Sequence, residues 1–451
     1  MKIDVLVAEI GSTTTVVNAF NGVHELKPKF VGQGQAATTV LDGDVTIGLK
    51  NAIDSLKKNI GADDLEYGEL LATSSAAGGL KMTVHGLVYD MTAKAAKEAA
   101  LGAGAIIHMV TAGRMRKSDL TKIQSIKPNI ILIAGGLDYG ERDTALYNAE
   151  LIADLKLGIP VIYAGNIENQ EEIKEIFNDY NSKLYIVDNV YPKVDILNVE
   201  PTRKVIQDAF EEHIIHAPGM TKVREMVTGS IIPTPGAVMQ AAKVLKQEIG
   251  DLVVIDVGGA TTDVHSVTEG SEEIQRILLS PEPEAKRTVE GDLGVFVNMP
   301  HVVERIGIDK LTQELGFDVR PLIENHKPIP ETEQEIKFVE RLTLEAVLTS
   351  VERHAGRVRR LYGEANKKSV AEGKDLTQVK YIIGTGGALT RLPHRAEIMQ
   401  KIAEHGKGVE LFPTKEAQIL VDNYYIMASL GVLSKKYPEA ALMLMKESLN
   451  I

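Results

Sequence analysis

Cysteine is absent from the whole chain of 451 residues, which excludes disulfides, thiolate metal sites and iron–sulfur clusters. No apolar run reaches the ~20 residues a membrane-spanning helix needs. The opening "MKIDVLVAEIG" lacks the three-part architecture of a signal peptide, so a cytoplasmic location with no membrane partner is expected. A basic balance is missing as well. The net charge of −12 argues against nucleic acid as a partner, because that would require a positive face. The basic stretch "ERHAGRVRR" at 352–360 lies in a helical pattern and reads as a solvated face. "HIIH" at 213–216 has no further ligand cluster beside it, and no metal is assigned there. What is present is ordinary for a soluble globular protein, at 44% apolar and 25% charged residues. The length calls for two or three domains.

The chain carries signs of a duplication. "DVLVAEIGSTTTVV" (4–17) aligns with "DLVVIDVGGATTDV" (251–264) at an offset of 247, matching Glu9 to Asp256, Gly11 to Gly258, and Thr14 and Thr15 to Thr261 and Thr262. "NIILIAGG" (129–136) and "KYIIGTGG" (380–387) repeat at an offset of 251. Two matches at nearly one spacing suggest that each half copies one unit. Strands are expected at 3–9, 13–20, 129–134, 159–163, 184–187, 252–256, 262–267 and 380–384, and helices at 92–111, 144–157, 169–178, 236–249, 335–362 and 415–434. Such alternation indicates an α/β fold. Pro and Gly cluster in 214–236, where the halves divide. The expected domains are 1–227 and 228–434, with 435–451 a C-terminal helix packing back on the first.

The two matched turns have a composition suited to anions. A turn between strands can aim several backbone N–H groups at one point, glycine admits a phosphate to the backbone, and Ser/Thr hydroxyls add donors. "EIGSTTT" offers Gly11, Ser12, Thr13 and Thr14, while "DVGGATTD" offers Gly258, Gly259, Thr261, Thr262 and Asp263. If the halves face each other, both turns converge on one polyphosphate. Glu9 and Asp256 would then flank a magnesium ion through its waters. The bland reading is a pair of hairpins with Thr chosen for strand propensity. "IIGTGGALTRLP" (382–393) runs from a strand into a glycine turn, where Gly384, Gly386 and Gly387 would let an adenosine lie against the backbone. Its bland reading is a tight strand-to-helix connection.

These three segments, in this order, resemble the phosphate-1, phosphate-2 and adenosine motifs of the actin, sugar-kinase and heat-shock-chaperone ATPase superfamily. The resemblance implies two duplicated ribonuclease-H-like, actin-like ATPase domains with a nucleotide cleft between them, and ATP and magnesium as cofactors. It implies that Ser12, Thr13, Gly258, Gly259, Thr261 and Thr262 contact phosphate, that Asp256 acts on magnesium or its waters, and that Gly386 and Gly387 border the adenosine. Residues 228–245 and 423–434 would be the two connecting helices. One departure stands out: the superfamily usually has Asp where this chain has Glu9. The extra methylene moves the carboxylate by roughly 1.5 Å. Glu9 and Asp256 remain the expected catalytic pair of a weak ATPase.

"ATSSAAGGLKM" (72–82), "LIAGGLDYGER" (132–142), "YAGN" (163–166), "VTGSIIPTPGAV" (227–238) and "KRTVEGDLG" (286–294) are together similar to one branch. It is the glutamate-mutase accessory family, of the MutL/GlmL type and unrelated to mismatch repair. That resemblance implies an ATP-dependent reactivating chaperone whose partners are the subunits of an adenosylcobalamin-dependent mutase. "SSAAGGLKM" and "LDYGERD" are then candidate partner loops. The alternative is a small-metabolite kinase of the sugar-kinase type, which needs a carboxylate base at the acceptor. Asp90, Asp138 and Asp292 lie in loops, but in no kinase signature. An activator of radical dehydratases is excluded by the missing cysteines. "DVHSVT" (263–268) resembles a cobalamin-binding Asp-x-His-x-x-Gly motif, but Thr268 replaces the glycine, and His265 reads as a strand residue.

Overall fold

The computed structural model describes residues 1–11, 14–39, 43–75, 80–180, 183–214, 220–229, 231–361, 368–406 and 408–451. The chain divides into two units, Met1–Gln240 with Ala428–Ala441, and Ala241–Met427 with Leu442–Ile451.

The first unit opens with three antiparallel strands, β1 (Lys2–Ile10), β2 (Thr14–Asn21) and β3 (Lys29–Ala37), followed by β4 (Glu66–Ser74) parallel to β1. The chain then builds a second sheet from β5 (Lys81–Gly86), β6 (Ile106–Ala112), β7 (Ile130–Ile133), β8 (Val161–Tyr163) and β9 (Leu184–Ile186), all parallel. It returns as β10 (Ile231–Pro233) beside β4. The first sheet therefore runs β3-β2-β1-β4-β10, and the inserted one β6-β5-β7-β8-β9. Both sheets share a core: Leu6, Ala8 and Ile10 of β1 cluster with Leu49 and Leu56 of the helix Val45–Ile60 and with Ile130 and Leu132 of β7. The near-continuous apolar run of β7 is what a strand buried on both faces requires.

The second unit repeats the plan without the insertion. β11 (Leu252–Val257), β12 (Thr262–Val267) and β13 (Ala285–Glu290) are antiparallel. A separate hairpin, β14 (Arg357–Leu361) and β15 (Lys368–Glu372), comes next. β16 (Tyr381–Thr385) then pairs parallel to β11, and β17 (Gln418–Val421) to β16. The order β13-β12-β11-β16-β17 matches the first sheet strand for strand. Three antiparallel strands followed by two parallel ones, twice, is the duplicated ribonuclease-H-like arrangement, and the fold class is α/β as expected.

Four local expectations are corrected. The Gly-Gly repeat at offset 251 is no structural equivalence, because β7 lies in the inserted sheet. The counterpart of β16 is β4: Glu9 pairs with Thr73 and Asp256 with Thr385 in the same register. The helix expected over 92–111 ends at Gly104 in the left-handed region (φ 101), and β-branched residues beyond it form β6. The helix expected over 335–362 stops at His354; Arg357 and Arg359 of the basic stretch stand in β14, each paired with Glu372. The span 415–434 holds β17 and then the helix Met427–Leu433, separated by Asp422. The Asp422 carboxylate accepts from Ile426 N (3.0 Å) and Met427 N (2.9 Å), a cap that starts the helix late.

The two expected connecting helices meet at backbone distance in the first unit. A Cβ on Gly431 would stand 1.9 Å from the carbonyl oxygen of Ala237, so only glycine lets them cross there.

Candidate functional site

The two glycine turns close in the same way. Gly11 N donates to Thr14 O at 3.0 Å, and Gly258 N to Thr261 O at 2.9 Å. Both N–H groups are therefore used by the turn itself. Ser12 and Thr13 lie outside the described residues. The second turn is braced from behind by a segment the sequence reading left unassigned. Gly259 O accepts from Phe296 N (2.9 Å) and Val297 N (2.7 Å), and Asn298 Nδ2 donates to Ala260 O (2.7 Å) and Gly291 O (2.8 Å). The quoted "KRTVEGDLG" ends just short of it; Asn298 had no signal of its own.

The two carboxylates occupy matching strand positions and meet different neighbours. Glu9 is buried, and its Oε1 accepts from Ser429 N (3.1 Å) and Ser429 Oγ (2.7 Å). The same Ser429 hydroxyl accepts from Asn18 Nδ2 at 2.8 Å, and Gln33 Nε2 donates to Asn18 Oδ1 at 2.8 Å. Glu9 thus ends a four-residue polar chain that ties the first hairpin to the helix Met427–Leu433. Its extra methylene supplies this reach. Asp256 is only half-buried and stands against Gly386, which has φ 82 and whose Cβ would lie 2.3 Å from Asp256 Oδ1. No other residue type fits there. Beyond it Gly387 opens onto free space, with nothing within 4 Å of a built Cβ. Gly384, by contrast, faces the Met399 thioether, 2.6 Å from its would-be Cβ, and is small for packing reasons.

The threonines and Asp263 divide likewise. Thr262 is fully buried and donates its hydroxyl to Leu293 O at 2.7 Å, which spends it on the hairpin's own packing. Asp263 forms a buried ion pair with Arg287, at 2.7 Å from Nε and 2.6 Å from the guanidinium NH2. Its other oxygen accepts from Thr261 Oγ1 at 3.1 Å. Thr261 is half-buried at the turn, as is Thr14 in the first unit. His265 is fully buried in β12 with both ring nitrogens unpartnered. Burial lowers its pKa to about 3, so it is neutral and enclosed, and unable to ligate a cobalt from outside.

Within the second unit, then, Asp256, Gly386 and Gly387 come together at one spot; in the first, Glu9, Gly11 and Thr14 share a hairpin. Among the described residues no group of three or more His, Asp or Glu could cage a metal. Magnesium dehydrates reluctantly and is commonly held by one or two carboxylates plus substrate phosphates. The donor set at Asp256, one half-buried carboxylate beside an open glycine shoulder, is compatible with such an ion.

A family model described as MutL protein matches residues 5–449. Protein MutL of Clostridium tetanomorphum is 36% identical over 463 aligned positions, covering 98% of this chain and 98% of that protein. Among solved structures, a nucleotide-free acetone carboxylase covers 96% of this chain and 70% of its own at 12% identity and a TM-score of 0.40. A nucleotide-free diol dehydratase-reactivating factor covers 97% of this chain and 100% of its own at 10% identity and a TM-score of 0.37. Scores this low assign neither a site nor a function.

Proposed function

The chain belongs to the MutL protein family, and from that premise we propose that it is an ATP-dependent accessory protein that reactivates an adenosylcobalamin-dependent mutase. Glutamate mutase or a related aminomutase is the expected client. The observation that supports the nucleotide half is the meeting of Asp256 with Gly386, beside the open Gly387. It leaves a carboxylate at the end of the first strand of a glycine hairpin, close to a backbone that can admit a ligand.

The roles proposed are those that the resemblance implies, and the geometry of each residue supports them. Asp256 orients magnesium waters, and magnesium, when bound, neutralises phosphate charge. Gly259, Thr261 and the Gly258 turn receive phosphate, with the Asp263–Arg287 pair fixing the Thr261 hydroxyl. Gly386 and Gly387 border the adenosine. In the first unit the Gly11 turn and Thr14 contribute phosphate contacts, while Glu9 holds Ser429 and so sets the pose of that hairpin. Binding and turnover of ATP give the chain differential affinity for two states of the mutase, the only way a ligand can shift such an equilibrium. Without cysteine it offers no thiol to reduce the cofactor, so exchange of damaged cobalamin is mechanical.

The test is reactivation of glutamate mutase inactivated with damaged cobalamin. This protein with ATP, magnesium and fresh adenosylcobalamin is expected to restore activity, and ADP alone is not. Equal recovery without ATP would defeat the reading. Phosphate transfer to a small metabolite would favour a kinase.

A further inference from the structure

Every carbonyl oxygen of the second glycine turn is spoken for. Gly258 O accepts from Val295 N at 3.2 Å, Gly259 O from Phe296 N and Val297 N, and Ala260 O from Asn298 Nδ2 at 2.7 Å. Thr261 O closes the turn onto Gly258 N. The bracing segment comes in at backbone distance, since a Cβ on Gly294 would stand 2.4 Å from Ala260 O and 2.5 Å from Gly259 O. A trans peptide points its N–H away from its own carbonyl. Fixing the carbonyls of Gly258, Gly259 and Ala260 therefore turns the N–H groups of Gly259, Ala260 and Thr261 away from the brace. None of these three donates to an acceptor among the described residues, and all three residues are half-buried. Successive N–H groups that lack acceptors on a half-buried turn are the material of an anion-binding concavity.

The bonds from Val295, Phe296 and Val297 are main-chain and would form with any side chains there. The bond to Ala260 O is made by a side chain, and that side chain gives up its usual task to make it. Asn298 immediately precedes the helix Met299–Ile306. At such a place asparagine ordinarily turns its oxygen onto the first helix N–H groups, and here it makes no such bond. Its amide nitrogen instead donates to Ala260 O and, at 2.8 Å, to Gly291 O. Gly291 lies between Glu290 and Asp292, and Arg353 holds both of those carboxylates, Asp292 by two bonds at 2.7 and 2.8 Å. The amide thus pulls the Ala260 carbonyl toward a loop that is itself fixed. Ala260 O and the Thr261 N–H belong to one peptide unit, so holding the first aims the second.

We propose that Asn298 is a positioning residue for the phosphate of the bound nucleotide. Without touching the ligand, its side chain sets the Ala260–Thr261 peptide so that the Thr261 N–H joins those of Gly259 and Ala260 as donors to a phosphoryl group. Donors fixed before the ligand arrives need no reorganisation when it binds. The inference rests on the reading of nucleotide binding above.

The experiment uses the full chain, with calorimetric titration of magnesium-ATP and amide-resolved hydrogen exchange across the turn. In the wild-type chain the amides of Gly259, Ala260 and Thr261 are expected to exchange fast without nucleotide and about tenfold slower or more with saturating magnesium-ATP. Asn298→Ser is neutral and keeps an oxygen able to cap the helix, but has no amide for Ala260 O; Asn298→Ala has neither. Both variants are expected to lose about tenfold in affinity, the usual order for a residue one layer behind a ligand contact, and to lose the nucleotide-induced protection at Thr261. Asn298→Ser should melt later than Asn298→Ala, because it can cap. Affinity that follows the melting temperature, full in Asn298→Ser and reduced in Asn298→Ala, would mark a merely structural residue and overturn the proposal. Wild-type affinity and protection in both variants would overturn it as well. Unprotected turn amides in a wild-type chain that binds magnesium-ATP would overturn the cradle and leave the functional reading standing. A wild-type chain that binds no magnesium-ATP would overturn both.

Discussion

Glu9, Asn18 and Gln33 in the first unit hold the same strand positions as Asp256, His265 and Arg287 in the second, by register across β1-β2-β3 and β11-β12-β13. In the first unit the three are joined with Ser429 into one network, buried at Glu9 and Asn18 and half-buried at Gln33. In the second they fall apart: Arg287 turns to Asp263, His265 bonds to nothing, and Asp256 stays at the mouth of the turn beside Gly386. One backbone plan, twice used, places one carboxylate against a buried serine and the other, half-buried, against a glycine turn. Where the superfamily usually has Asp, the Glu9 side chain reaches Ser429 N and Oγ.

The comparison can be broken most forcefully at the third position. Arg287→Met strands the buried Asp263 carboxylate, a loss of about 3–5 kcal/mol, whereas Gln33→Met removes one neutral partner, roughly 1 kcal/mol. Urea denaturation of both variants checks this, and equal losses would mean that the two networks are interchangeable. Next in size is the glycine shoulder. Gly386→Ala, with φ 82 and Asp256 Oδ1 2.3 Å from the new Cβ, is expected to destabilise by roughly 2 kcal/mol or more. Gly387→Ala, facing open space inside a helix, is expected to stabilise by up to about 1 kcal/mol. The melting temperatures should move in opposite directions.

Ser429→Ala comes third. It removes the hydroxyl from between Glu9 and Asn18 and is expected to cost about 1–3 kcal/mol, the usual loss when a buried polar group is left short of a partner. Glu9→Asp, which withdraws the carboxylate by roughly 1.5 Å, should reproduce part of that loss in thermal melts. Near neutral pH the smallest effect comes from the buried histidines, and it grows only in acid. His265 has its pKa lowered by burial to about 3, so the unfolded chain protonates first as pH falls below ~6.5. Its share of stability is whole above that pH and drains away as pH drops toward 3, at about 1.4 kcal/mol per pH unit. Buried His85, lowered to about 4, and His354, also lowered by burial, add in the same sense. His265→Asn, which makes the second unit resemble the first, should flatten the acid limb of a stability–pH curve. An unchanged slope would mean that His265 is hydrated in solution.

How much of this the sequence disclosed depends on the length scale. Matched hairpins were legible because a duplicated strand–Gly–Thr–strand pattern keeps its spacing, and offset 247 held through both turns. The adenosine-side repeat misled. Apolar strands ending in Gly-Gly occur wherever a parallel strand enters a tight turn, and β7 is one of those. Helix ends failed at Gly104 and His354, because the segments beyond them are taken up by pairing with β5 and β15, which a helical pattern read along the chain does not show. The partners of Glu9 and Asp263 could not be read at all: Ser429 lies 420 residues from Glu9, and a single serine or arginine carries no pattern.

The most direct measurement is calorimetric titration of magnesium-ATP into the wild-type chain, Asp256→Ala and Ser429→Ala. Asp256 is expected to face the ligand, so Asp256→Ala should lose about tenfold or more in affinity, the 1.4 kcal/mol or more of a charge-assisted contact, while its melting temperature holds. Ser429→Ala should do the reverse, melting earlier with affinity nearly intact. Undiminished affinity in a folded Asp256→Ala protein would remove Asp256 from the site and contradict the division of labour between the two hairpins.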